Sequence, residues 1–159
     1  MTLLDAKQFD ETRSQRRRTM IFWILIAVLI LAWVVYHFRN YPERRAVTNF
    51  FAALQKQDYE TAYGVWFNDP NWRQNPQKYP KYPYNDFYRD WGTGGEWGLI
   101  KTYHVDCSLN QSGSSGVIVQ VTVNGRAEHP YLWVQKSDKT LSFSPIEIEC
   151  GNWYAWLTE

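Results

Sequence analysis

His104 and Asp106 stand two residues apart in a stretch that alternates apolar and polar residues. If that stretch is a β-strand, both side chains leave the same face, about 6–7 Å apart. A carboxylate beside an imidazole can tune a general acid–base pair. Tyr63 and Asp90 are the other groups with chemistry suited to join them. The neighbours argue for a blander role. Ile100, Thr102 and Ser108 would share the face of the pair, whereas Tyr103, Val105 and Leu109 make the more apolar, core-facing side. The pair is therefore expected on a solvated sheet face, and no residue is assigned a catalytic role.

Metal ligation has less support. His37, His104 and His129 are scattered, and Cys107 and Cys150 lack paired-ligand spacing. Asp86 and Asp90 lie one helical turn apart near Glu96, a pattern typical of a solvated helix face. The glycines of "GTGGEWG" precede no phosphate-binding Lys-Ser/Thr and read as a turn. No metal and no cofactor is expected. A Cys107–Cys150 disulfide is also not expected. A regular meander would set the two residues tens of ångströms apart, against a limit of about 7 Å between Cα atoms. Only strong sheet curvature or a folded-back tail would bring them together.

The elements that must carry these residues follow from periodicity. Val47, Phe50, Phe51 and Leu54 repeat at i, i+3, i+4 and i+7, one face of a helix. Asp58 is a good N-cap for the next helix, where Tyr59, Ala62, Tyr63 and Trp66 repeat the spacing. Four prolines between Asn68 and Asp86 exclude a long regular helix or a central strand. Tyr84, Phe87, Tyr88 and Trp91 then form a third short amphipathic face. From Leu99 the period becomes two. Val117, Val119, Val121 and Val123 alternate, and Asn124–Gly125 marks a hairpin. Two further strands are expected over residues 126–136 and 141–149. Helices followed by an antiparallel meander give an α+β fold with the helices on one sheet face.

Ahead of this domain lies an apolar run. Met20 to Tyr36 holds no charge, Pro or Gly, and with His37 and Phe38 it reaches 19 residues. As a helix it would be roughly 28 Å long, close to the ~30 Å hydrocarbon core of a bilayer. Trp23 and Phe22 stand near one end, Trp33 and Tyr36 near the other, with Arg beyond both. A cleaved signal peptide needs small residues at its cut, and Val34 to Phe38 supplies none. The run is expected to be an uncleaved single-pass anchor. Arg16, Arg17 and Arg18 favour a cytoplasmic N-terminus and an extracytoplasmic C-terminal domain at the inner (cytoplasmic) membrane. The domain plan is a basic tail over 1–18, the anchor over 19–38, a linker over 39–45, and a soluble domain over 46–159.

Net charge is +1 over 159 residues, so no global field points to nucleic acid. Aromatic residues reach 18%, with 9 Trp and 11 Tyr. Such rings supply large buried area and amphipathic contact surface. The Pro/Tyr-rich segment carries Trp72, Tyr79, Tyr82 and Tyr84 among Arg73, Lys78 and Lys81. These rings are the expected interface residues, unless they fold back over the helices.

The segment "AVTNFFAALQKQDYETAYGVW" resembles the opening of the NTF2-like superfamily, in which a first helix ends near a Gln-Asp-Tyr step and a second carries Ala-Tyr. The short third helix before a curved meander is similar too. The resemblance spans roughly 44–149 and departs from the family at the Pro/Tyr segment. It implies a cone of short helices on a curved antiparallel sheet, with a pocket whose expected lining here is Tyr63, Trp66, Tyr88 and Trp91.

The leading expectation is a non-enzymatic, membrane-anchored accessory or assembly subunit that docks on other membrane or envelope proteins. Its partners are the bilayer and other membrane proteins, with a homo-oligomer compatible and nucleic acid excluded. The alternatives are a small-ligand module using the aromatic pocket, and a pocket enzyme using His104 and Asp106.

Overall fold

The computed structural model describes residues 11–148 and residue 150. The chain forms two compact units, residues 1–39 and 40–159.

The first unit is helix α1, Glu11–Phe38, 28 residues or roughly 42 Å long. Nothing inside it breaks a helix, and its apolar side chains point in every direction. None of the apolar window is buried against protein, and Leu29 remains 70% exposed. By length and composition α1 can cross a membrane. It ends where Arg39 and Asn40 turn and Pro42 opens the next helix.

The second unit is α+β, as the change of period implies. Helix α2, Tyr41–Gln55, buries the stripe Val47, Phe50, Phe51 and Leu54. Helix α3, Tyr59–Trp66, is capped by the Asp58 carboxylate, which accepts from the Thr61 backbone N–H at 3.0 Å. Such a cap is worth about 1 kcal/mol. Single 3₁₀ turns at Trp72–Gln74 and Pro76–Lys78 are all the regular structure the prolines leave. Helix α4 is Tyr84–Trp91.

Strands β1 (Tyr103–Leu109), β2 (Gly116–Val123), β3 (Tyr131–Gln135) and β4 (Leu141–Phe143) form one antiparallel sheet in the order β1-β2-β3-β4. Val117, Val119, Val121 and Val123 lie fully buried in the core with α2, α3 and α4. Asn124 and Gly125 both adopt positive φ, 53° and 67°, as a type I′ turn requires. The Asn124 carboxamide pins the turn: its oxygen accepts from Lys101 N, and its nitrogen donates to Leu99 O.

Three local features differ from the periodic reading. Strand β1 carries a bulge between Val105 and Cys107, so alternation fails there. Strand β3 starts at Tyr131 rather than 126, because the segment from Arg126 to Pro130 loops away. Strand β4 stops at Phe143, since Pro145 cannot continue a ladder and Ser144 Oγ caps a turn with Ile146.

Candidate functional site

The bulge decides what Asp106 can do. Before it His104 stands opposite Thr122, and after it Cys107 stands opposite Gln120, both on the face away from the valines. Asp106 Oδ2 accepts from the Thr122 hydroxyl at 2.8 Å and from Gln120 Nε2 at 3.3 Å. His129 Nδ1 lies 3.2 Å from Thr122 Oγ1 and 3.9 Å from Asp106 Oδ2. The Thr122 hydroxyl thus bridges the Asp106 carboxylate and the His129 ring. The histidine that Asp106 meets is thus His129, not His104. His104 is exposed and stands outside this chain of bonds. The arrangement ties the β2–β3 loop to the β1 bulge. A hydroxyl already donating to a carboxylate is not poised as a nucleophile toward the imidazole. Among the described residues no group of three or more His, Cys, Asp or Glu could hold a metal.

Beside this chain, Cys107 and Cys150 form a disulfide with a Cα separation of 5.7 Å. The expectation against it is corrected by the short β4. The strand ends after three residues, and Cys150 beyond it reaches Cys107 of β1. Cys150 Sγ comes within 3.1 Å of Oε1 of Gln120, the register partner of Cys107. Ile118 and Ile148 are buried outside the main core cluster. The signal in the sequence was Ser144–Pro145, a strand stop that shortens the distance argument.

Of the four residues expected to line a pocket, three lie in the hydrophobic core and one is exposed. Tyr63, Trp66 and Trp91 are fully buried and interlock with Phe50 and Phe87 at ring distances of 5.0–6.1 Å. Tyr88 is 45% exposed and meets Tyr59 edge-on. The rings fill the space between helices and sheet that the resemblance would assign to a ligand. Each aromatic contact adds about 0.5–1.5 kcal/mol beyond its area.

The Pro/Tyr segment folds back on the same cluster. Trp72 is buried, stacks on Tyr84 and donates from Nε1 to Glu60 O at 3.1 Å. Tyr79 stacks on Phe67 at 3.8 Å, and Tyr82 packs on Trp66. The Tyr63 hydroxyl donates to Tyr82 O at 2.8 Å. Asp69 fastens the segment by accepting from Lys78 Nζ and from the Tyr79 hydroxyl, each at 2.8 Å. Those two donors hold its carboxyl below the usual aspartate range. Burial, reinforced by the hydrogen bond to Asp90, pushes the Tyr82 phenol up. Three of the rings stay half-buried, so each keeps an edge on the surface.

A groove of about 550 Å³ lies elsewhere, between α2 and α3. Pro42, Ala46, Val65 and Trp72 give it an apolar floor, with Arg45, Asn49, Glu60, Arg73 and Lys139 on its walls. Gly64 lets the loop after α3 close in: a Cβ there would meet Asp69 O at 3.2 Å and Trp72 Cδ1 at 3.4 Å. Two wall cations are engaged. Arg73 pairs with Glu60, and Lys139 Nζ donates to Glu43 Oε1 at 2.8 Å. Sequence periodicity missed this groove because its lining comes from the polar edges of two helices and from two loops.

No family model, curated protein or solved structure matches the chain.

Proposed function

We propose that the protein is a non-enzymatic single-pass membrane protein whose C-terminal domain, of NTF2-like type, serves as an accessory or assembly subunit on other membrane proteins. The observation that carries this reading is a disulfide-bonded domain following a helix whose apolar window none of the described residues buries. Disulfides persist outside the cytoplasm. With Arg16, Arg17 and Arg18 ahead of the apolar run of α1, the bond supports a cytoplasmic N-terminus and an extracytoplasmic domain. The filled aromatic core supports a role for the surface rather than for an interior pocket. The Asp106–Thr122–His129 chain supports a structural use of the one Asp/His neighbourhood on the sheet.

The test is purification of the full-length protein from native membranes in mild detergent. Stoichiometric recovery with one membrane complex is the expected result. Recovery of the chain alone, as monomer or homodimer, contradicts the subunit reading.

A further inference from the structure

We propose that the groove between α2 and α3 binds the phosphate of an anionic phospholipid headgroup, with Arg45 as its charge partner. This inference rests on the single-pass reading above. Arg45 and Asn49 are four residues apart on α2 and share one face of the helix. Among the described residues Arg45 has no ion pair, and neither its guanidinium nor the Asn49 carboxamide has a hydrogen-bond partner. The other wall cations are neutralised in place, Arg73 by Glu60 and Lys139 by Glu43. The groove therefore presents one uncompensated positive charge and a free amide donor at an apolar floor. That is the complement of a phosphodiester, a single negative charge with carbon on both sides.

The size fits as well. At about 550 Å³ the groove lies within the ~300–1,000 Å³ range of small-molecule sites and exceeds what a bare phosphate fills. Pro42, Ala46 and Trp72 give the glycerol carbons a surface to cover. Chain connectivity supplies the source. Arg45 follows the last residue of α1, Phe38, by seven positions, so covalent reach keeps it within about 25 Å of the helix end. Arg39 and Arg44 lie in the same stretch, a basic run beside an apolar helix of the kind that attracts anionic headgroups.

The test uses the full-length chain in dodecyl maltoside with ¹⁵N-labelled tryptophan. The Trp72 indole resonance, assigned with Trp72→Phe, is followed while dihexanoylphosphatidylglycerol is added. A saturable shift is expected, weaker with dihexanoylphosphatidylcholine, whose choline cation offsets the charge of the same phosphodiester, and absent with inorganic phosphate at equal concentration. Arg45→Ala is expected to weaken binding about tenfold or more. Asn49→Ala should weaken it less, with the Trp72 resonance of both variants starting where the wild type starts. No saturable shift, or unchanged affinity in Arg45→Ala, overturns the site. Equal binding of inorganic phosphate overturns the lipid as its source. Membrane fractionation separates the two levels: a chain found in membranes without this binding loses the site alone, and a chain absent from membranes loses the reading beneath it.

Discussion

Helix α1 and helices α2 to α4 are all rich in large apolar side chains, and they dispose of them in opposite ways. On α2 the apolar residues fall on one stripe, and Val47, Phe50 and Phe51 are completely buried. On α1 they go all round, and Leu29, Leu31 and Trp33 stay more than 60% exposed. Total apolar content does not separate these cases, but its angular distribution does. A stripe can be satisfied by one partner surface. A full cylinder cannot be covered by one such surface, and among the described residues the apolar window of α1 is not buried.

The sharpest way to break the comparison is to spoil the cylinder and leave the stripe intact. Leu25→Arg with Leu29→Arg puts two charges near the middle of α1, at about 2.5–3.5 kcal/mol each for membrane insertion. The double variant is expected to leave the membrane fraction on alkaline extraction, with thermal unfolding of the C-terminal domain unchanged. Spoiling the core instead should do the reverse. Trp91→Ala opens a cavity among Phe50, Phe51 and Trp66 and is expected to cost about 3–5 kcal/mol. The domain's melting temperature should fall by roughly 10 °C or more while membrane recovery persists.

The fold-back of the chain after β4 is the next element to probe. Cys150→Ser should lose about 2–5 kcal/mol of domain stability. Reductant added to the wild type should reproduce the loss and leave the variant unaffected. The smallest effect concerns the Pro/Tyr segment. The Asp69 carboxyl titrates below its unfolded value of about 3.9 because Lys78 and Tyr79 donate to it. A depressed value means that its contribution is complete above that pH and fades as pH falls through the lower, folded value. Acid unfolding followed by tyrosine fluorescence should therefore be less pH-dependent in Asp69→Asn than in the wild type.

Much of the fold was legible because its causes are local. The stripe from Val47 to Leu54, the Asp58 cap, the alternating valines and Asn124–Gly125 each state a structure within a few residues. The β1 bulge was not legible, because one extra residue leaves the local composition unchanged and is fixed by what β2 offers opposite. Asp106 at that bulge meets Thr122 and, through it, His129, a residue 23 positions away. The disulfide was misread for the same kind of reason. Its geometry depended on where β4 stops, and Pro145 set that stop five residues before Cys150. The groove was invisible to periodicity because apolar and polar residues from four separate segments make it.

The central claim is that α1 holds a disulfide-bonded domain outside the cytoplasm. It is tested most directly by labelling intact spheroplasts with a membrane-impermeant maleimide, with and without an impermeant phosphine reductant. Cys107 and Cys150 should label only after reduction and without permeabilising the membrane. Labelling without reductant, or only after permeabilisation, would contradict the account.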